Sequence, residues 1–146
     1  MSIRSKKPII ICAFPGAGKS FAGSVVNNKR VVDLDIHTFP KNQYPNNYVD
    51  AVQGLYNSGE FDYILCACHE SVRDAFREAG LHFIVVAPAC KEKCRSECLT
   101  RLLRAGKDIE YLEYVSTHWD EFFDSLSKES APTIKLENTQ YLSDIL

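Results

Sequence analysis

Residues 8–14 read PIIICAF, and the chain then turns through two glycines into a lysine and a serine. This juxtaposition limits the fold more than any other feature of the sequence. A continuous apolar run of strand length is expected where a strand is covered on both faces. A glycine turn directly after it, followed by helical signals from Lys19, makes a strand–loop–helix unit that belongs in a parallel sheet flanked by helices. The remaining chain alternates in the same way. Further short apolar strands are expected at 31–34, 63–68, 82–87 and Thr133–Leu136, and helices at 46–57, 70–79, 91–105 and 108–127. Gly59, Gly80 and Gly106 stand where three of these helices should stop. The expected architecture is α/β, three layers, with a parallel sheet of five strands. No repeat, low-complexity tract or linker divides residues 1–146, so a single domain is expected. The Pro- and Asn-rich stretch 37–47 reads as a mobile loop.

The turn has chemical content. Residues 13–20, AFPGAGKS, fit the pattern G-x-x-x-x-G-K-[ST] with alanine in the first place. Gly16 and Gly18 let successive backbone N–H groups point inward, and a helix beginning at Lys19 turns its positive dipole end toward an anion. Lys19 reaches β- and γ-phosphates, and the Ser20 hydroxyl is a Mg²⁺ ligand. Ala13, Phe14, Pro15, Gly16, Ala17, Gly18, Lys19, Ser20 and Phe21 are therefore the expected nucleotide-binding residues, with ATP and Mg²⁺ as the implied cofactors.

Other candidates cluster where strands should end. In VVDLD, residues 31–35, Asp33 and Asp35 point the same way on an extended segment. One carboxylate suits a metal and the other suits orienting or deprotonating an acceptor, with Asp33 assigned to Mg²⁺ and Asp35 to the acceptor. The third strand runs into His69, Glu70 and Arg73, of which His69 and Arg73 are candidate acceptor contacts. Between residues 91 and 107 lie Lys91, Lys93, Arg95, Arg101, Arg104 and Lys107. Arg101 and Arg104, three apart, are expected on one helix face as cations over a transferring phosphoryl group, and Lys91 and Lys93 as a solvated face.

The net charge of −2 gives no basic field over the whole surface for nucleic acid, although a local basic patch remains compatible with it. No apolar run is long enough to cross a bilayer, and the basic N-terminus precedes too short an apolar stretch for a secretory signal. A cytoplasmic monomer or homodimer without a membrane partner is the expectation. Six cysteines are then expected to be reduced, with Cys66 and Cys68 on one strand face. Cys90, Cys94 and Cys98 recur every four residues without the tight pairs that zinc favours, so packing is expected there too.

Taken together, AFPGAGKS, VVDLD, HESVR and RLLR resemble the P-loop kinases related to nucleoside monophosphate kinases, most closely the short adenylate-kinase-like nucleotide kinases encoded by bacteriophages. The resemblance covers nearly the whole chain. It implies strand order 2-3-1-4-5, an ATP–Mg²⁺ donor complex, a short lid around residues 91–107 carrying Arg101 and Arg104, and an adenine-side contact at Asn138. The chain departs from the family in its very short lid, in lacking an acceptor-binding domain of the usual size, and in having Ala67 and Cys68 where a strand-end acid is common. The implied activity is transfer of the ATP γ-phosphoryl group to a nucleoside or deoxynucleoside monophosphate. A kinase for a hydroxyl acceptor (a small metabolite, a polynucleotide 5′ end or a modified base) and a nucleotide-binding regulatory module remain open alternatives.

Overall fold

The structure is a computed structural model. It describes residues 7–14, 25–26, 28–34, 39–137, 140 and 142–146, and for Val25, Val26, Lys93 and Ser143 the backbone alone. The expected loop at 15–20, the helix from Lys19, and Phe21, Asp35 and Asn138 lie outside the described residues.

The strands are β1 (Ile9–Ala13), β2 (Val25–Val26), β3 (Lys29–Asp33), β4 (Tyr63–Cys66), β5 (Ile84–Pro88) and β6 (Thr133–Leu136). The described helices are α1 (Asn46–Ser58), α2 (Glu70–Glu78), α3 (Lys93–Arg104), α4 (Ile109–Thr117) and α5 (Trp119–Ser127). The sheet runs β2-β3-β4-β1-β5-β6. β3, β4, β1, β5 and β6 are parallel, which is the expected order 2-3-1-4-5. The short β2 was not foreseen. It forms an antiparallel hairpin with β3, Val25 facing Arg30, through Asn28 in the left-handed region that asparagine tolerates.

Alternation along the strands divides the core. Ile10, Cys12, Ile64, Cys66, Val85 and Ala87 face one side, where Tyr48 and Val52 of α1, Val72 and Phe76 of α2, Cys98 and Leu102 of α3, Val115 of α4 and Trp119 of α5 bury them. Ile11, Ala13, Leu65 and Val86 face the other side and pack with Val31, Leu136 and Leu142. All five described helices therefore cover one face. The second helical layer expected from the sequence would begin with the helix from Lys19, outside the described residues. No helix among the described residues is long and apolar enough to cross a membrane.

Two helix ends follow from glycine. Gly59 closes α1 at φ 71°, and Gly106 closes α3 at φ 84° with its N–H donated to Leu103 O. The single helix expected over 108–127 is instead two. At His118 the backbone leaves helical values, φ −99° and ψ 10°, with Nδ1 2.9 Å from Tyr114 O and the ring against Tyr114 at 4.3 Å. The break starts α5 at Trp119, which is fully buried and donates its indole N–H to Lys91 O at 2.9 Å. The stretch expected to be a mobile loop is anchored over its described part. Phe39 and Tyr44 pack on Tyr48, and Asn47 Nδ2 donates to Pro40 O at 3.1 Å.

Candidate functional site

Because the five strands are parallel, their carboxyl ends share one edge, and Phe14, Leu34, residues 67–69, Ala89 and Glu137 leave the sheet there. β1 is central. From it the chain goes outward to β3, returns through β4, and then crosses to β5 on the opposite side. The connections therefore reverse direction beside β1, and in open α/β sheets ligands bind at such a switch point, outside the carboxyl ends. AFPGAGKS leaves β1 at this place. Its two described residues are fixed: Ala13 and Phe14 are each 1% exposed, and the Phe14 N–H donates to Val86 O at 2.9 Å. The Phe14 ring meets Trp119, Phe122 and Phe123 edge-on at 5.0, 6.2 and 6.3 Å. Its side chain is thus a core anchor that sets where the loop departs.

Next to β1 on one side, Tyr48 ties two strand ends together. Its buried hydroxyl donates to Leu34 O at 2.8 Å and accepts the Ala67 N–H at 3.0 Å. Burial pushes this phenol well above its ordinary range, so it stays protonated. Asp33, assigned to Mg²⁺, is exposed at the last position of β3, in register with Leu65 of β4. His69 occupies the N-cap of α2 without capping through its side chain, and its Nδ1 lies 3.0 Å from the Tyr44 hydroxyl. Burial likewise raises the Tyr44 phenol.

The arginines divide. Arg73, expected as an acceptor contact, is held inside the protein. Its side chain is 3% exposed, with Nη1 2.6 Å from Glu129 Oε1 and Nε 3.2 Å from Cys68 O. Nη2 bonds the Ser125 hydroxyl. All three nitrogens are thereby engaged within the protein, and the residue clamps α2 to the end of α5. Glu129, whose side chain is fully buried, also binds Arg77 Nη1 at 2.6 Å and accepts the Ala131 N–H. Burial alone would push the Glu129 carboxyl up, but these donors outweigh it and hold it down to about 2.

Arg101 and Arg104 also separate, although the sequence spacing put them on one face. Three residues on a helix leave about 60° between side chains. That angle turns Arg101, 3% exposed, into a crevice with Pro88, Cys94, Cys98, Leu136 and Glu137, while Arg104 stays exposed. Arg101 Nε is 3.5 Å from Glu97 Oε1. The crevice lies at the carboxyl ends of β5 and β6, so Arg101 sits at the carboxyl edge of the sheet. The Cys98 thiol beside it is pushed up to about 12 by burial, which outweighs the opposing pull of Arg101. Lys91 lies 3.5 and 3.6 Å from Asp120 and Asp124. All six cysteines are free thiols. Among the described residues no group of three His, Cys, Asp or Glu side chains could hold a metal.

Three contributors escaped the sequence reading. Tyr48 lay within the helix expected over 46–57 without further distinction, Tyr44 sat in a segment read as loop, and Glu129 pairs with a residue 56 positions away. Only Tyr44 left a trace in the sequence, an aromatic four residues before another at the start of a helical pattern. No protein-family model, characterised protein or solved structure matches this chain significantly.

Proposed function

We propose that this protein is a P-loop phosphotransferase that moves the γ-phosphoryl group of ATP to a nucleoside or deoxynucleoside monophosphate. The observation that carries the reading is the departure of AFPGAGKS from the central parallel strand at the point where the chain reverses direction across the sheet. A strand–loop–helix with Gly, Lys and Ser at these spacings supplies inward N–H groups, and the switch point supplies the cleft.

In this reading the loop N–H groups and Lys19 cradle the ATP phosphates, and Ser20 with Asp33 would hold Mg²⁺, whose chemistry is to neutralise charge on the β- and γ-oxygens. The exposure of Asp33 at the end of β3, one strand beyond the neighbour of β1, fits that assignment. Asp35 orients the acceptor on the β3–β4 side. Arg104, exposed near the end of α3, supplies positive charge whose attraction for the phosphoryl oxygens strengthens in the transition state, and Arg101, in the crevice at the carboxyl ends of β5 and β6, adds to it. The acceptor phosphate is already ionised, so its oxygen attacks the γ-phosphorus directly and ADP leaves.

A coupled ADP-release screen over all ribo- and deoxynucleoside monophosphates, with sugars and 5′-hydroxyl oligonucleotides included, tests the proposal. ADP release that depends on a monophosphate and is lost in Lys19→Ala supports it. Release that depends only on a hydroxyl compound moves the protein to a different acceptor class.

A further inference from the structure

Helices α3 and α4 are joined by the short turn Ala105 to Asp108, in which Gly106 at φ 84° reverses the chain. Arg95 near the start of α3 reaches Ser116 near the end of α4, donating from Nη2 to its O and Oγ at 2.9 Å each. The two helices therefore lie side by side and antiparallel, pinned at both ends. Their outward faces enclose a groove with Leu99, Leu103 and Leu112 along it and Glu92 and Glu113 at its rim. Leu103 is 62% exposed, and Ile109, three residues ahead of Leu112, is 66% exposed. Among the described residues these are the two most exposed large apolar side chains.

A single exposed leucine needs no explanation, but two such residues on adjoining helices beside a leucine-lined groove make a contiguous apolar patch. The charges at its two ends differ in sign. Glu92, exposed, stands just ahead of α3 at the end that Arg95 pins. Lys107 stands in the turn at the other end, with Nζ 5.9 Å from the Tyr111 ring centroid. The 12 residues of α3 separate these ends by about 18 Å. Asp108, beside Lys107, is taken up in capping α4, where it accepts the Tyr111 N–H, and Glu110 does not line the groove. A face with an apolar centre, an acid at one end and a base at the other becomes complementary to itself after a two-fold rotation. We propose that this face binds a second copy of the chain, with Leu103 and Ile109 of each protomer entering the groove of the other and Glu92 of each pairing with Lys107 of the other.

The signs of the charges choose this occupant. A lipid surface or a nucleic acid calls for cations around the apolar strip, and the rim here carries Glu92 and Glu113. The inference stands apart from the phosphotransfer reading. Arg101 is turned into the crevice against β5 and β6, and Arg104 does not line the groove. Pairing through the outward face of α3 and α4 thus uses neither of the arginines assigned to the transferring phosphoryl group.

The test is sedimentation velocity of the full chain from low to high micromolar concentration. The expected result is a concentration-dependent rise from the 16.5 kDa monomer to twice that mass. Leu103→Glu should weaken dimerisation on the order of 10²-fold, because two-fold symmetry removes the contact twice. Its melting temperature at low concentration should match that of the wild type, since the side chain is exposed. Glu92→Lys and Lys107→Glu should each weaken the dimer, because like charges then face each other. An equimolar mixture of these two variants should recover wild-type affinity, because every contact between the two different chains again joins opposite charges. A 16.5 kDa species at every concentration overturns the inference. A dimer that Leu103→Glu leaves intact, or a mixture that shows no recovery, overturns it as well.

Discussion

The ring of Phe14 meets the indole of Trp119 edge to face, 5.0 Å between centroids at 83°. Phe14 is the last described residue before the glycine turn, and Trp119 N–H holds the Lys91 carbonyl just ahead of α3. One contact thus joins the take-off of the proposed phosphate loop to the start of the helix that carries Arg101 and Arg104.

Trp119 is the single tryptophan, so its emission should report on the loop. Titration with ATP and Mg²⁺ should change Trp119 fluorescence and raise the melting temperature, since a ligand bound only by the native state stabilises it. Lys19→Ala should remove most of both effects. A wild-type melting shift with no change in emission would show that Phe14 does not pass the loop's state to Trp119.

Glu129 gives the protein an acid limit. Its carboxyl titrates at about 2 in the folded state against about 4.3 in an unfolded chain. A depressed folded value adds stability that is fully present above the unfolded value and is lost as pH falls from about 4.5 toward 2. The contribution at neutral pH is on the order of 3 kcal/mol. Chemical denaturation across pH 2–7 should show this loss in the wild type, and Glu129→Gln should flatten that part of the curve while lowering stability at pH 7. An unchanged profile in the variant would remove the Arg73–Glu129 pair from the account.

That pair also shows what the sequence conceals. Strands with two-sided burial announce themselves as apolar runs, so β1, β4 and β5 were legible, as were the glycine stops. The strand order came from the family resemblance, and β6 at Thr133–Leu136, mostly exposed, stood out only as a short segment after the last helix. The two-residue β2 is too short to carry a period. The break at His118 leaves no mark, because Trp119 continues the helical pattern on either side of it. Arg73 looked like a phosphate ligand because its spacing after the strand was right. Only tertiary structure reveals a buried carboxylate waiting for it across the helix layer. The split between Arg101 and Arg104 depends on where α3 sits against β5 and β6, a matter of packing that a three-residue spacing does not decide.

The cysteines should label in two groups. Cys68 and Cys90 are half-buried, whereas Cys12, Cys66, Cys94 and Cys98 are buried. At pH 8 iodoacetamide should modify the first pair in the native protein and reach the others only on unfolding, with Cys98 further protected because its thiol stays neutral up to about 12. Mass spectrometry of timed digests would show this order. Early labelling of Cys98 would contradict the packing of α3 on the sheet.

The two arginines of α3 should behave differently. Arg104→Ala should cost on the order of 10²-fold in turnover with ATP affinity changed only a few-fold and no loss of melting temperature, because the side chain is exposed. Arg101→Ala should lower both turnover and melting temperature, because it empties part of a buried crevice beside Glu97. Steady-state kinetics and thermal melts of both variants would separate them. Near-normal turnover in Arg104→Ala would leave the exposed end of α3 as a solvated basic face.

The central claim is phosphoryl transfer, and the most direct measurement is the fate of a labelled γ-phosphate. Incubation of the protein with Mg²⁺, γ-labelled ATP and each ribo- and deoxynucleoside monophosphate should yield a labelled nucleoside diphosphate for at least one acceptor, and Lys19→Ala should yield none. If ATP binds but no monophosphate acquires label under any of these conditions, the protein is not a nucleoside monophosphate kinase.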